Sequence, residues 1–236
     1  MTDIHSHLLF DVDDGSRSIE ESLTLLKKMS NVGFDNVVLT PHYIKGETYN
    51  INNEDKLEKL YILREELYKN NIDINIFLGN EIFITNSLIK DIKDGNCYTL
   101  NNGNYILFEI PFHNRIINLE KWVEMIEGNG CRLILAHPER YTYFQENYEL
   151  VDNLKKSGLL FQANYGSILN CYGKEACNLL KYMLKNNYID YFGTDIHRNS
   201  NTFVIDNFNR IEKEIIKVIG EESYNRIKRN SDNLVQ

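Results

Sequence analysis

Several motifs that identify phosphate-handling and metal-dependent enzymes are missing from the 236-residue sequence. No cysteine is followed six residues later by arginine, so the phosphate-binding loop of cysteine-dependent phosphatases is absent. The sequence contains neither a Gly-x-x-x-x-Gly-Lys loop nor a His-Glu-x-x-His helix. These absences leave a nucleotide-phosphate cradle, a cysteine-dependent phosphatase and a zincin site without support.

Long apolar runs and an excess of positive charge are missing as well. No apolar run approaches the roughly 18 residues of a membrane span, and the polar N-terminus lacks the layout of a signal peptide. The net charge of −8 disfavours binding to nucleic acid and to anionic membrane surfaces. Four scattered cysteines without a Cys-x-x-Cys pair are typical of reduced thiols. We therefore expect a cytoplasmic protein that neither inserts into a membrane nor binds nucleic acid.

The sequence does contain a regular alternation of short apolar runs and longer amphipathic segments. Seven runs are rich in β-branched or aromatic residues, as expected of buried strands. Seven strands alternating with helices predict a parallel sheet, and their even spacing favours a barrel. No proline-rich linker divides residues 1–236, so we expect a single α/β domain. The predicted strands are Thr2–His5, Asn36–Thr40, Ile72–Leu78, Tyr105–Ile110, Arg132–Ala136, Leu159–Ala163 and Ile189–Gly193.

The helical segments between these runs have recognisable ends. Ser18 and Glu21 form a Ser-x-x-Glu capping box, and Gly33 lies where the first helix should end. After Gly220 we expect a looser tail. The other predicted helices are Glu54–Lys69, Asn118–Glu127, Tyr148–Lys156, Lys174–Asn186 and Val204–Ile219.

Histidines and acids collect at the C-terminal ends of the predicted strands. Five of the six histidines lie at or just past such an end. One histidine there is usually an ordinary polar residue, but five independent occurrences indicate a common site. Active sites of barrels built from strand–helix units gather at this rim. The candidate residues are His5, His7, Asp14, His42, Glu81, Glu109, His137, Asp195 and His197.

The four carboxylates of this set could not share a small rim as bare charges. Each close pair would cost about 4 kcal/mol at an effective dielectric near 20. Divalent cations remove the conflict, and mixed imidazole and carboxylate ligands suit zinc, manganese or iron. Three divalent ions would outweigh four carboxylates by about two charges and would attract a dianionic phosphate. The rim therefore predicts a metal cluster.

The pattern resembles the PHP (polymerase and histidinol phosphatase) superfamily. The stretches DIHSHLLFDVDDGSRSIEES, TPH, LGNEIF, AHPERY and TDIH look like one branch of it, from residue 2 to about residue 200. That branch is the manganese-dependent protein-tyrosine phosphatases of bacterial capsule and exopolysaccharide loci. The resemblance implies a distorted seven-strand (β/α)7 PHP barrel whose metal site lies at the C-terminal ends of the strands.

The resemblance also implies three divalent ions. Mn²⁺ is the metal that it favours, and iron and zinc are the alternatives. One ion would be held by His5, His7, Glu81 and Asp195. A second would be held by Glu81, as a bridge, with Glu109 and His137. A third would be held by Asp14, His42 and His197.

Substrate recognition is implied by the same resemblance. Arg140 in AHPER matches the arginine that grips the phosphate in the family, and a planar guanidinium suits bidentate contact with phosphate. The implied substrate is phosphotyrosine in the tyrosine-rich tail of a kinase that controls polysaccharide polymerisation. Family members often carry further arginines where this chain reads HYIKG and DIHRNSN. We expect Lys45 and Arg198, the cations in these two stretches, to contribute to substrate binding.

Aromatic residues near the motifs have two interpretations. They could line a slot for the tyrosyl ring or pack in the core, and core packing is favoured in a chain with 11% aromatic residues. His113 matches no ligand position and is interpreted as a loop residue. Asp11 and Asp13 are expected to orient the loop of Asp14 through backbone amides. The aromatic candidates are Tyr43, Phe112, Tyr141, Tyr143 and Phe144.

Four alternative functions are considered at this point, of which a PHP exonuclease is disfavoured because the net charge of −8 does not suit a nucleic-acid backbone. A PHP-family small-molecule phosphoesterase, such as a histidinol-phosphate phosphatase, would use the same metal ligands. A metal-dependent amidohydrolase also opens with His-x-His, but it usually has eight strands and a modified lysine where this chain has a glutamate. A PHP module kept for binding or regulation should have lost some ligands, whereas all nine positions are filled here.

Overall fold

The strands form a curled parallel sheet. A computed structural model describes residues 1–46, 49, 51–114 and 119–236. The strands are β1 Thr2–Ser6, β2 Asn36–Leu39, β3 His42–Tyr43, β4 Asn75–Leu78, β5 Glu81–Phe83, β6 Tyr105–Glu109, β7 Arg132–Ala136, β8 Leu160–Asn164 and β9 Tyr191–Gly193. Every strand pair in this part of the chain is parallel, with the orders β1-β2-β4 and β3-β5-β6-β7-β8-β9.

Two of the seven predicted strands are each continued by a short second segment. The chain bends between β2 and β3 at Pro41, which has no backbone N–H to donate, and between β4 and β5 at Gly79. A Cβ atom on Gly79 would lie 2.8 Å from Leu100 Cδ2, so a larger residue there would have to displace the Leu100 side chain. Counting each bent pair as one strand returns the seven strands of the prediction.

The sheet curls until β9 lies beside β1. The Asp195 amide donates to the His5 carbonyl (2.9 Å), and the His7 amide donates to the Ile196 carbonyl (2.9 Å). Ser6 and Ile196 form an isolated parallel bridge rather than a full ladder. The predicted α/β class and distorted barrel are thereby confirmed, and the two ends of the motif series lie side by side.

Helices cover the outside of the sheet. A large apolar core fills the layer between helices and strands, and a smaller cluster that includes Ile4, Val38, Leu107 and Ile134 packs together separately. Residue 118, the start of one predicted helix, lies outside the described residues. No helix in the described ranges is long and apolar enough to cross a membrane. The helices are α1 Ile19–Asn31, α2 Asn53–Lys69, α3 Leu88–Lys93, α4 Leu119–Glu127, α5 Thr142–Glu146, α6 Glu149–Lys156, α7 Lys174–Lys185, α8 Phe203–Asp206 and α9 Phe208–Asn233.

The expectation of a loose tail after Gly220 was wrong. Helix α9 breaks at Gly220 (φ 78°, ψ 161°), a positive φ that glycine adopts readily, and then continues as a second helical segment. In that segment Tyr224 and Ile227 are buried. Thr2 Oγ1 donates to Asp232 Oδ1 (2.7 Å), so the C-terminal segment packs against the start of β1. The tail is therefore part of the core at the end of the barrel opposite the rim.

Replacing Tyr224 by alanine should test this packing. Tyr224 is fully buried and its hydroxyl donates to Glu212 Oε1 (2.9 Å). We expect Tyr224→Ala to lower the free energy of unfolding by about 3–5 kcal/mol, the usual range for a buried aromatic residue, in urea denaturation. Tyr68→Ala is the control, because Tyr68 is 86% exposed and should change stability by about 0.5 kcal/mol or less. Equal, small effects would show that the tail does not stabilise the fold.

Candidate metal centre

The two N-terminal histidines meet Glu81 at the rim. His5 Nε2 and His7 Nε2 lie 3.2 Å apart, and Glu81 Oε2 lies 3.2 Å and 3.3 Å from them. Asp195 Oδ1 lies 3.6 Å from His5 Nε2 and 3.5 Å from His7 Nε2. Ligand atoms of His5, His7 and Glu81 are close enough together to hold one ion. These four residues are the predicted first ligand set.

The second predicted set shares Glu81. His137 Nε2 lies 2.8 Å from Glu81 Oε1. His42 was predicted for the third set, but its Nδ1 lies 3.2 Å from Glu81 Oε2 and 3.5 Å from Glu109 Oε1. His42, Glu81 and Glu109 form another compact group of ligand atoms. Glu81 therefore faces two groups of donors, as a bridging carboxylate would.

The third predicted set lies beside the first. Asp14 Oδ1 is 3.6 Å from His42 Nε2 and 3.7 Å from His197 Nε2. Ligand atoms of His7 join these three residues in one compact group, and the His7 and His197 rings stack with centroids 3.9 Å apart. The structure thus brings all nine predicted residues to one rim, while the assignment of each to a particular ion stays a prediction.

A register shift lies where the first strand supplies its ligand. The pairing of β1 with β2 is irregular between Asp3 and Ser6. Ile4, which packs with Val38 in the smaller apolar cluster, and His5, which reaches the rim, both lie within this shift. Bulges commonly re-aim side chains next to active sites.

Strained backbone marks two other ligand positions. His137 (φ 36°) and Asp195 (φ 53°) adopt positive φ, which costs about 1–3 kcal/mol for residues other than glycine. Beside them, Gly193 leaves room for neighbouring side chains, since a Cβ there would lie 2.6 Å from His5 Cβ and 2.9 Å from Gln162 Nε2. Such strain is characteristic of functional sites.

Burial and charge perturb the protonation of the cluster. Burial alone would lower the pKa of His5, but the carboxylates of Glu81 and Asp195 raise it to about 9. Burial and the neighbouring Glu81 raise the pKa of Glu109 to about 9. Burial and the Arg140 charge lower the pKa of His137 to about 4. Protons on some of these groups therefore balance the carboxylates when no cation does.

The donor set fits divalent ions. Asp14 Oδ1 and His42 Nδ1 are buried atoms without a hydrogen-bond partner in the described part of the chain. Buried polar atoms are usually paired, so unpaired ones facing a cluster of imidazoles and carboxylates point to a ligand. No thiolate of the described residues lies in the cluster, and nitrogen and oxygen donors of this kind suit manganese, iron or zinc.

Hydrogen bonds behind the histidines involve residues that the sequence analysis did not single out for this purpose. His5 Nδ1 donates to Gln162 Oε1 (2.8 Å), and His7 Nδ1 donates to Asp13 Oδ2 (2.8 Å). Asp13 also accepts from the amides of Gly15 and His42, as expected for a loop-orienting residue. The sequence signal that could have indicated Gln162 is the stretch LFQAN, in which two polar residues stand two positions apart in a buried strand.

Asp11 behaves differently from Asp13. Its side chain is largely exposed and forms an ion pair with Lys59 (3.2 Å). His113 lies in a loop, where its Nδ1 is 3.5 Å from Thr142 Oγ1. Neither residue belongs to the compact groups of ligand atoms.

Arg140 lies at the mouth of the rim. Its Nη1 donates to Asp195 Oδ2 (2.7 Å), and its guanidinium carbon lies 4.9 Å from the Phe112 ring centroid and 4.5 Å from that of Tyr172. A cavity of about 270 Å³ is lined by Arg140, seven of the nine predicted ligands, and Ile44, Tyr49 and Phe112. His5 and His7 are fully buried and are not among its lining residues.

The other two predicted substrate contacts do not line this cavity among the described residues. Lys45 Nζ contacts Asp91 Oδ1 (2.6 Å) and Ser87 Oγ (2.8 Å). Arg198 Nε donates to the carbonyl of Asp14 (2.7 Å), where it supports the loop that presents a predicted ligand. A direct role of either cation in substrate binding stays a prediction.

Most of the aromatic candidates pack in the core, as the sequence favoured. Tyr43, Tyr141 and Phe144 are buried, and the Tyr143 hydroxyl donates to the Pro111 carbonyl. Phe112 is the exception and lines the cavity. Sequence reasoning missed Tyr49 and Tyr172, because neither lies in a recognisable motif.

Comparison with known proteins identifies the relatives of this chain. A family model for capsular polysaccharide synthesis proteins, CpsB/CapC, matches residues 1–236. CapC from Staphylococcus aureus is 32% identical over 206 residues, which cover 85% of this chain and 78% of CapC. The tyrosine-protein phosphatase CpsB from Streptococcus agalactiae is 30% identical over 205 residues, covering 84% of this chain and 83% of CpsB.

A solved structure shows the same fold over the whole chain. It comes from work on YwqE from Bacillus subtilis and CpsB from Streptococcus pneumoniae, described as metal-dependent tyrosine phosphatases. The TM-score is 0.92 at 26% identity, and the match covers 100% of this chain and 94% of the other.

Metal binding should release protons. At neutral pH the metal-free protein holds protons on His5 and Glu109, whose pKa values are both raised to about 9. Metal ligation requires the neutral imidazole and the ionised carboxylate, so Mn²⁺ should displace these protons and bind more tightly as the pH rises toward about 9. Calorimetric titration of chelator-stripped protein in two buffers of different ionisation enthalpy measures the release.

Glu109→Gln is the matched variant for this titration, because an amide has no proton to lose. It should release fewer protons than the unmodified protein on binding Mn²⁺. Binding without proton release, or with an affinity independent of pH, would contradict the protonation pattern of the cluster.

Proposed function

The chain belongs to the CpsB/CapC family of capsular polysaccharide synthesis proteins, and we propose that it is a metal-dependent phosphatase that hydrolyses phosphotyrosine in proteins. The observation that carries the proposal is the position of Arg140. A guanidinium bonded to Asp195 at the mouth of a cluster of imidazoles and carboxylates places an anion-binding group beside the candidate metal ligands.

The metal ions, their ligands and Arg140 would each have a separate role in hydrolysis, which follows from the chemistry of each group. Divalent ions, when bound, supply positive charge for the phosphate and lower the pKa of water from 15.7 to about 7. The nine clustered residues would hold the ions, and Glu81 belongs to two of the compact groups of ligand atoms. Arg140 orients the phosphate, because one Nη of its planar fork is held by Asp195 and the rest can bind phosphate oxygens.

The cavity also suits an aromatic leaving group. Ile44, Tyr49 and Phe112 provide apolar wall beside the polar floor, where a tyrosyl ring could stack. A phenolate, with a pKa of about 10, departs with less help from a general acid than an alkoxide needs. The site therefore favours aryl over alkyl phosphate esters.

The finer parts of the proposal concern metal, partner and location. We infer that Mn²⁺ is the resident metal and that residues 1–236 act as one phosphatase domain. The inferred substrate is the phosphorylated tyrosine-rich tail of a kinase that regulates capsular or extracellular polysaccharide synthesis, which agrees with the family description. A cytoplasmic location is inferred from the four free cysteines.

Hydrolysis of matched substrates tests the proposal. Phosphotyrosyl and phosphoseryl versions of one peptide, together with histidinol phosphate, are assayed with Mn²⁺ and again after chelation. We expect metal-dependent release of phosphate, with the highest kcat/KM on the phosphotyrosyl peptide. Preference for histidinol phosphate would indicate a small-molecule phosphatase, and lack of any turnover with metal bound would indicate a binding module.

Substitution of Arg140 tests its role in holding phosphate. Lysine keeps the charge but loses the planar fork, so Arg140→Lys should lower kcat/KM by about 10- to 100-fold, the equivalent of one charge-assisted hydrogen bond. Arg132→Lys is the matched control, because Arg132 is exposed at the opposite end of strand β7. Equal kinetics for the two variants would remove Arg140 from substrate binding.

A further inference from the structure

Strand β8 differs from the other strands of the barrel. Each of the others ends in, or leads directly to, a predicted metal ligand, whereas β8 supplies none. It carries instead two fully buried amide side chains, Gln162 and Asn164. Burying such polar groups is costly unless their hydrogen bonds are made, so their partners reveal what they do.

The two amides form a directed chain of hydrogen bonds along the rim. His5 Nδ1 donates to Gln162 Oε1 (2.8 Å), and Gln162 Nε2 donates to Asn164 Oδ1 (3.0 Å). Asn164 Nδ2 then donates to Asp195 Oδ2 (2.8 Å), the oxygen that also accepts from Arg140 Nη1 (2.7 Å). In this series of hydrogen bonds each donor meets an acceptor, from His5 of β1 to Arg140 at the mouth of the rim.

The direction of the chain fixes the protonation of His5. The carboxylate of Asp195 accepts only, so Asn164 must present its amide nitrogen there and its oxygen to Gln162. Gln162 must then present its nitrogen to Asn164 and its oxygen to His5. That oxygen requires a proton on His5 Nδ1, so the proton that a metal ion displaces from His5 is the one on Nε2, the nitrogen that faces Glu81 and His7.

The backbone of β8 also contacts the turn that carries Arg140. Glu139, next to Arg140 in the chain, accepts from the Asn164 amide (2.8 Å) and from Ser167 Oγ (2.7 Å). Asn164 therefore contacts Asp195 through its side chain and the short turn that carries Arg140 through its main chain.

We propose that Gln162 and Asn164 are positioning residues: Gln162 sets the tautomer with which His5 binds metal, and Asn164 couples Asp195 to Arg140. The part that concerns Arg140 rests on the proposed function. The part that concerns His5 requires only that the rim binds a divalent ion.

The test compares metal affinity with kinetics. Gln162→Leu removes the acceptor for His5 and should weaken Mn²⁺ binding to chelator-stripped protein by about 10- to 100-fold, the usual effect of losing such a partner. Gln162→Glu keeps the acceptor and should bind Mn²⁺ more tightly than Gln162→Leu. At saturating Mn²⁺, Gln162→Leu should recover a normal KM for phosphotyrosyl peptide, whereas Asn164→Leu should keep a raised KM.

Asn230→Leu is the matched control for Asn164→Leu. Asn230 Nδ2 donates to the Asp190 carbonyl (3.1 Å) at the opposite end of the barrel, so its loss should leave Mn²⁺ affinity and KM unchanged. Circular dichroism establishes whether each variant is folded. If Gln162→Leu does not fold, Gln162→Met takes its place, and the same loss of Mn²⁺ affinity is expected.

Two results would overturn the inference. One is wild-type Mn²⁺ affinity in folded Gln162→Leu, and the other is equal affinity in Gln162→Leu and Gln162→Glu. Failure of the proposed function is seen separately, because the unmodified protein would then bind Mn²⁺ but leave phosphotyrosyl peptide intact.

Discussion

The rim depends on one electrostatic constraint: a carboxylate taken out of water must be neutralised by groups that the fold brings to it. Glu81 is the clearest case, since it is fully buried and burial by itself would raise the pKa of its carboxyl group. The nearby imidazoles instead hold that pKa well below its usual range. These imidazoles come from β1, the loop after β1, β3 and the end of β7, so the strands converge on one charge. The four lie within 3.3 Å of Glu81: His5, His7, His42 and His137.

Irregular backbone makes this convergence possible. The pairing of β1 with β2 shifts register between Asp3 and Ser6, where the chain passes from Ile4 in an apolar cluster to His5 at the rim. The bend at Pro41 similarly separates a strand that serves the core from a short segment that presents His42. The positive φ values of His137 and Asp195 add local strain, which persists only where surrounding structure over-determines it, here the hydrogen bonds around the ligands.

The sequence was sufficient to predict the fold class and the candidate ligands because each signal was local. A histidine directly after an apolar run, as in AHPER, indicates a strand end, and parallel strands bring such ends to one edge. Gln162 and Asn164 were missed because an amide in a buried strand has no distinctive partner until the barrel closes. Lys45 could not be placed either, since its contact with Asp91 joins segments far apart in sequence. The segment after Gly220 was mispredicted because its burial depends on β1, the other end of the chain.

Asp195 joins the two halves of the site through its two oxygens. Oδ1 faces the imidazoles of His5 and His7, while Oδ2 accepts from Arg140 and Asn164. A cation held by Asp195 would draw electron density away from Oδ2 and weaken the hydrogen bond from Arg140, so that more of the guanidinium would be available to bind phosphate. By linkage, an anion that recruits Arg140 leaves Asp195 more available to the cation, and the two affinities change by the same factor. Metal and phosphate should therefore bind this rim cooperatively, because one carboxylate holds partners on both sides.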